Sequence, residues 1–224
     1  ASTVPVDGPN KAESLQNGLG RITGRKLVEL PQLYEDFTLL WRDIEESEKL
    51  DRPLDLSAAA SAAQRSAKRE DELILFGNKA LGAEGLMTAA GSYKIKRGTW
   101  NEGEDAYKDV AHAISYLSSN SKLGRYALVL SPELYLDLQR LQPNVGLLEL
   151  DRISKLVGGR VYPAGPFGAG KAALVCAEPQ YMDLAVGVDL SVGYLELKDF
   201  NHSFRILETA ALRIKDPSAI VAFE

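Results

Sequence analysis

The first fifty residues hold little that could bury itself, and this restricts the fold more than any other feature of the chain. Residues 1–25 are polar and Gly-rich (VDGPNKAESLQNGLGRITGR from Val6), with no helical or strand period of useful length. They read as an arm or loop that needs a partner surface. Residues 26–41 (KLVELPQLYEDFTLLW) are apolar and β-prone, but Pro31 favours an edge strand or an extended arm over a central strand. Residues 42–53 (RDIEESEKLDRP) form a charged turn or short helix closed by Pro53. A compact enzyme seldom leaves so much chain outside its core.

The middle of the chain reads as helix. Asp55, Leu56 and Ser57 offer a start, an Ala-rich run continues to Phe76, and Gly77 is a fitting stop. Ala58, Ala59, Ala60, Ala62, Ala63 and Ala67 give high helix propensity and a thin surface for close packing. A second helix spans about 104–118, where Ala106, Val110, Ile114 and Leu117 recur at helical spacing. YALVL (126–130) then predicts a buried strand, and Ser131-Pro132-Glu133 opens a helix to about Arg140. A further helix is expected from about Leu147 to Val157, and the remaining apolar runs read as strands. The fold class is α+β, with helices early and an antiparallel or mixed sheet late.

Composition narrows the chemistry. With 26 Lys plus Arg against 31 Asp plus Glu, the net charge of -5 argues against a chain built to neutralise phosphate backbones, and no nucleic-acid partner is expected. Cys176 is the single cysteine, so no disulfide framework and no Cys-rich metal site is possible within the chain. His112 and His202 are the only histidines; His112 has no obvious partner carboxylate, and His202, with Asp199 nearby in a polar loop between two strands, shows no substrate cleft for acid–base work. No apolar run approaches the ~20 residues needed to cross a bilayer. With no secretory signal in the opening residues, a cytoplasmic location is expected.

Gly165-Pro166-Phe167-Gly168-Ala169-Gly170-Lys171 fits the first seven positions of a phosphate-cradling loop. Its next residue is Ala172 where a Ser or Thr should hold magnesium, and a strand follows where a helix should begin. It reads as a Gly-rich connection, with a nucleotide-binding enzyme as the lesser alternative. The acidic clusters at Glu35-Asp36, Asp43 to Glu48 and Glu70-Asp71-Glu72 are interleaved with Arg and Lys, as on a solvated face. Cys176 lies in an apolar strand, and Trp41 and Trp100 read as packing residues. No catalytic set, cofactor or metal is assigned.

Taken together, VDGP, WRDIEESEKLDRPLDLS, GNKALGAEGLM, YALVLSPELY, LLELDRISKLVGGRVYP, KAALVCAEPQYMDLAVGVDLSVGYLE and LRIKDPSAIVAFE resemble encapsulin shell proteins. The resemblance implies a phage-capsid-like (HK97-type) fold and a structural subunit, not an enzyme. Such subunits self-assemble into a closed icosahedral shell, of 60 copies or a larger quasi-equivalent number. The shell encloses cargo such as a ferritin-like protein or a peroxidase, with iron storage or oxidative defence as the implied physiology. A viral or prophage major capsid protein is the runner-up.

The resemblance also divides the chain into an N-terminal segment (1–25), an extended arm or E-loop (26–53), a peripheral domain with a spine helix (54–103), an axial domain (104–212) and a C-terminal strand returning to the peripheral domain (213–224). Leu27, Val28, Leu30, Leu33, Tyr34, Phe37, Leu39, Leu40 and Trp41 would be the arm residues that touch a neighbouring subunit. Deleting Leu27–Trp41 should then leave soluble subunits that fail to close. Leu195, Glu196, Leu197, Lys198, Asp199, Phe200, Asn201 and His202 would line a pore, where one charge per subunit becomes a ring. Related shells carry an amphipathic helix ahead of the VDGP-like segment that helps form a cargo groove. Here Ala1 lies only a few residues before Val6, so no cargo-docking residues are carried over.

Overall fold

The computed structural model describes residues 3–6, 13–16, 19–22, 27–142 and 146–224. In chain order the first strands are β1 (Thr3–Pro5), β2 (Glu13–Gln16), β3 (Leu19–Ile22), β4 (Leu27–Glu29) and β5 (Gln32–Leu39). Helices α1 (Trp41–Leu50) and α2 (Ser57–Phe76) follow, then the short strands β6 (Gly77–Asn78), β7 (Ala83–Glu84) and β8 (Tyr93–Ile95). Next come α3 (Asp105–Ser119), β9 (Tyr126–Leu130), α4 (Pro132–Asp137), α5 (Glu149–Leu156), β10 (Val161–Pro163) and β11 (Ala172–Cys176). A long hairpin, β12 (Met182–Lys198) and β13 (Asn201–Ile214), precedes the last strand, β14 (Ile220–Phe223).

Two sheets organise these elements. The first runs β12-β13-β5, all antiparallel, with α2 packed over β13 and β5. Asp55 starts α2 by accepting a hydrogen bond from the Ser57 backbone at 2.8 Å. Gly77 ends it with φ of +65°, and a Cβ there would sit 2.2 Å from the Ala83 carbonyl. Only glycine meets both conditions. The second sheet runs β10-β9-β11-β14-β8 and carries most of the core. Leu128, Leu130, Leu174, Ile220, Val221 and Phe223 are all fully buried there, against α3 residues Val110, Ala113 and Leu117.

Strand pairing revises three of the expected boundaries. β5 is not an arm reaching away: Gln32–Leu39 pairs residue by residue with Thr209–His202 of the same chain. Pro31 predicts an edge strand, and β5 is the outer strand of its sheet. Leu33, Phe37 and Leu39 therefore lie on one half-buried face of the subunit's own sheet, with Tyr34 on the other. Leu40 and Trp41 form the start of α1. The out-and-back extension lies earlier, with β1 and β4 pairing as a stem and β2 and β3 as a hairpin between them. Of the expected arm residues, Leu27 and Val28 are in that stem.

The second revision concerns the hairpin at 182–214, which belongs with α2 and β5 and not with the elements of 104–181. The third concerns the end of the chain. β14 lies between β11 and β8 in the five-stranded sheet, so it pairs with one strand of the expected peripheral span (β8) and one of the expected axial span (β11). All four of its residues are buried, as a strand covered on both sides requires.

An ion network marks the passage between the two sheets. Arg213 grips Asp183 through two hydrogen bonds of 2.6 and 2.7 Å, Lys215 adds a third at 2.7 Å, and Arg213 also donates to the Pro5 carbonyl. Nearby, Lys122 pairs with Asp216, which also caps Ser218. Burial raises both carboxyl pKa values, but the hydrogen bonds and charges of their basic partners outweigh it and hold them below the usual range. A depressed folded-state pKa contributes stability above the ordinary value near 4, and that contribution disappears as pH falls through the folded value. Acid titration followed by circular dichroism should show stability falling below about pH 4, with a shallower fall in Asp183→Asn. Equal acid slopes in both proteins would remove this assignment.

Candidate assembly surfaces

Helix α2 covers two strands of the three-stranded sheet and leaves the third as a ledge. Val192 lies opposite Ile206, and Val186 opposite Ala210, so each pair shares a face of the sheet. Ile206 and Ala210 are 3% and 1% exposed, whereas Val192 and Val186 are 62% and 46% exposed. Leu184, Val188 and Leu190 add to the exposed apolar stretch along β12. β12 is also an edge strand, with one side of its backbone unpaired within the described sheet. An apolar stretch of this length on an unpaired edge marks an interaction surface. The sequence reading missed it, because an apolar run predicts a buried strand whoever buries it.

The expected pore residues, Leu195 to His202, fall at the tip of the same hairpin. Its two-residue turn holds Asp199 at φ +50° and Phe200 at φ +64°, a conformation that favours Asn and Gly. A phenylalanine held there costs roughly 1–2 kcal/mol. Phe200 is nonetheless 74% exposed and meets Trp41 edge-on at 6.4 Å. Asn201 accepts a hydrogen bond from the Trp41 backbone, and His202 sits 5.9 Å from the Tyr194 ring. Leu195 and Leu197 are exposed, and Glu196, Lys198 and Asp199 make no ion pair among the described residues. The tip thus gathers the expected residues together with Trp41, and it does so on the α2 unit.

The other sequence candidates resolve into structural roles. Gly165–Lys171 precedes strand β11 and no helix, and Lys171 lies over the Phe76 ring at 5.6 Å. The nucleotide-enzyme alternative fails on this geometry, and Lys171→Ala should leave nucleotide binding in a filter assay unchanged at background. His112 is exposed and edge-on to Tyr93 at 6.5 Å. Burial raises the Cys176 thiol pKa, with Glu178 adding to the effect, so the thiolate needed for attack is disfavoured. Among the described residues no cluster of His, Cys, Asp or Glu is arranged to hold a metal ion. No helix there is long and apolar enough to cross a membrane.

A family model described as an encapsulating protein for peroxidase (Linocin_M18) matches residues 1–211. Over 200 residues the chain is 41% identical to the type 1 encapsulin shell protein EncA of Myxococcus xanthus, spanning 89% of this chain and 70% of that protein. The chain belongs to the encapsulin family. A diheme-cytochrome-encapsulin shell fusion protein of Kuenenia stuttgartiensis is 38% identical over 200 residues, covering 89% of this encapsulin and 55% of the fusion. In three dimensions this encapsulin matches a virus-like particle from Pyrococcus furiosus with a TM-score of 0.80 at 22% identity, over 100% of this chain and 87% of that one. The capsid of Myoviridae phage XM1 matches at 0.65 and 14% identity, over 99% and 83%. The fold is therefore of the HK97 type that encapsulins share with phage capsids, and the encapsulin is a structural, shell-building subunit.

Proposed function

We propose that this subunit closes into a hollow cytoplasmic shell by burying the β12 ledge on neighbouring copies, and that the shell encloses a redox enzyme. The observation that carries the assembly reading is the exposed, largely apolar run Leu184–Val192 on a free sheet edge. The stem of β1 and β4, with β2 and β3 paired between them, runs out and back along the chain and fits the role of an arm over a neighbour. Relatives with a diheme cytochrome or a ferritin-like protein fused to the shell support a redox or iron-handling cargo, and the family description supports a peroxidase. The shell itself would perform no chemistry. Sixty copies, or a larger quasi-equivalent number, close such a particle. The hairpin tips, with Glu196, Lys198 and Asp199, would meet at a symmetry axis and set the charge of an opening.

Val192→Asp together with Leu190→Asp tests the ledge. Both side chains are exposed in the subunit, so its thermal midpoint should change little. Light scattering after size exclusion, with negative-stain images, should show megadalton particles for the parent protein and only small oligomers for the variant. Full-size particles from the variant would sink the proposal. Deleting 27–41 is a poor test, because it removes β5 from the subunit's own sheet. Replacing residues 13–22 with a Gly-Ser linker isolates the arm, and closed shells should again be lost.

A further inference from the structure

The interface between α2 and the long hairpin contains a carboxylate that the shell reading does not use. Glu208 of β13 is 6% exposed and alternates with Ile206 and Ala210 on the face beneath α2. Opposite it, α2 presents a stripe of Ala62, Ser66, Glu70 and Leu73 at helical spacing. Ser66 is 1% exposed, and its hydroxyl has no partner among the described residues. Glu70 is half-buried there. Asp189 of β12 supplies a third carboxylate close enough to act on both glutamates.

Among the described residues no base answers this charge. On α2, Arg65 and Arg69 are both committed to Glu35, and Lys68 faces Glu72. Asp71, next to Glu70, adds a further negative charge. On β5 the residue paired with Glu208 is Leu33, Glu35 is held by the two arginines, and Asp36 lies on the other face with Arg205. From β12, the exposed Asp189 accepts a hydrogen bond from the Leu190 backbone and adds negative charge that acts on both glutamates. β7 meets β13 only farther along, where Glu84 shares a crevice with Leu212 and Ile214. Burial of Glu208 and Glu70 without a cation disfavours their charged forms, and mutual repulsion adds to it.

We propose that Glu208, with Glu70 and Asp189, forms a proton-operated joint that seats the long hairpin more tightly on α2 as pH falls from neutral toward the ordinary glutamate range. On acidification a glutamate takes up one proton, loses its charge and gains an O–H that a neighbouring carboxylate or the Ser66 hydroxyl can accept. The sign follows from the raised folded-state pKa values. Between the folded and unfolded values the folded chain binds more protons, so stability rises as pH falls through that window and is lost as pH rises. This window lies above the acid loss assigned to Asp183 and Asp216.

The assembled protein is compared with Glu208→Gln and Glu70→Gln by scanning calorimetry at pH 7.5 and pH 4.5. Glu208→Gln should raise the midpoint by about 2–4 °C at pH 7.5 and by clearly less at pH 4.5. Hydrogen exchange of α2 peptides, corrected for the intrinsic pH dependence, should lose protection between pH 4.5 and pH 7.5 in the parent protein and not in Glu208→Gln. A midpoint difference from the parent that is equal at the two pH values overturns the proposal, as does a variant less stable at both. Should Glu208→Gln not fold, Glu70→Gln carries the same expectation with a smaller shift, and a pH-independent result for it overturns the joint. The result does not depend on whether the particle is a cargo-bearing shell.

Discussion

Trp100→Ala is expected to destabilise the subunit by about 3–5 kcal/mol. Trp100 has no exposed surface, meets Phe223 edge-on at 5.3 Å and donates its indole N–H to Asp109 at 2.8 Å. Asp109 also accepts from the Gly98 backbone, so the loop around Trp100 is clamped onto β14 and α3 at once. Truncation would leave a large cavity and take one partner from the carboxylate. Against a total folding stability of about 5–15 kcal/mol, that is a large fraction. Thermal denaturation of unassembled subunits should show a midpoint lower by on the order of 10 °C. Trp41→Ala is the internal control, since Trp41 is 45% exposed and should cost well under half as much. Equal losses at the two tryptophans would contradict the burial pattern described above.

The second large effect lies at Glu149, which is fully buried at the start of α5. One of its oxygens accepts hydrogen bonds from Arg140 and Gln142, and both donors also reach the Gly103 carbonyl at 2.8 Å. The cluster pins three separate segments together. Arg140→Ala would leave a buried carboxylate without its cation, at a cost of about 3–5 kcal/mol. The double substitution Arg140→Leu with Glu149→Leu removes both charges and should recover most of that loss. Urea unfolding of the two single variants and the double variant measures the coupling. Additive losses would show that the pair is not acting as a unit.

Much of this molecule was legible from local chemistry. The Ala-rich run ending at Gly77 gave α2 to within a few residues, because propensity and a left-handed stop act within one turn. YALVL and AALVC were strands on their apolar, β-branched runs alone. The failed phosphate loop was readable from Ala172, since both the missing hydroxyl and the following strand are local features. The acidic clusters were read as solvated. That holds for Glu45, which pairs with Lys49, and not for Glu70, whose surroundings come from two other strands.

By itself the sequence determined the long helices and the longer apolar strands, though not the short strands within 1–25 and 78–103, as well as where α2 stops, the absence of a disulfide framework, and the likeness to a shell-protein family. The tertiary structure alone decided which sheet each strand joins. β5 pairs with β13 across more than 160 positions, and β14 fits between β11 and β8, whose own partners lie far away in the chain. A period of two says that one face of a strand is covered and does not say by what. The same limit hid the ledge on β12. Its apolar residues carry the pattern of a core strand, and Leu184, Val186 and Val192, on the face that α2 packs against, are exposed because α2 covers only the two neighbouring strands.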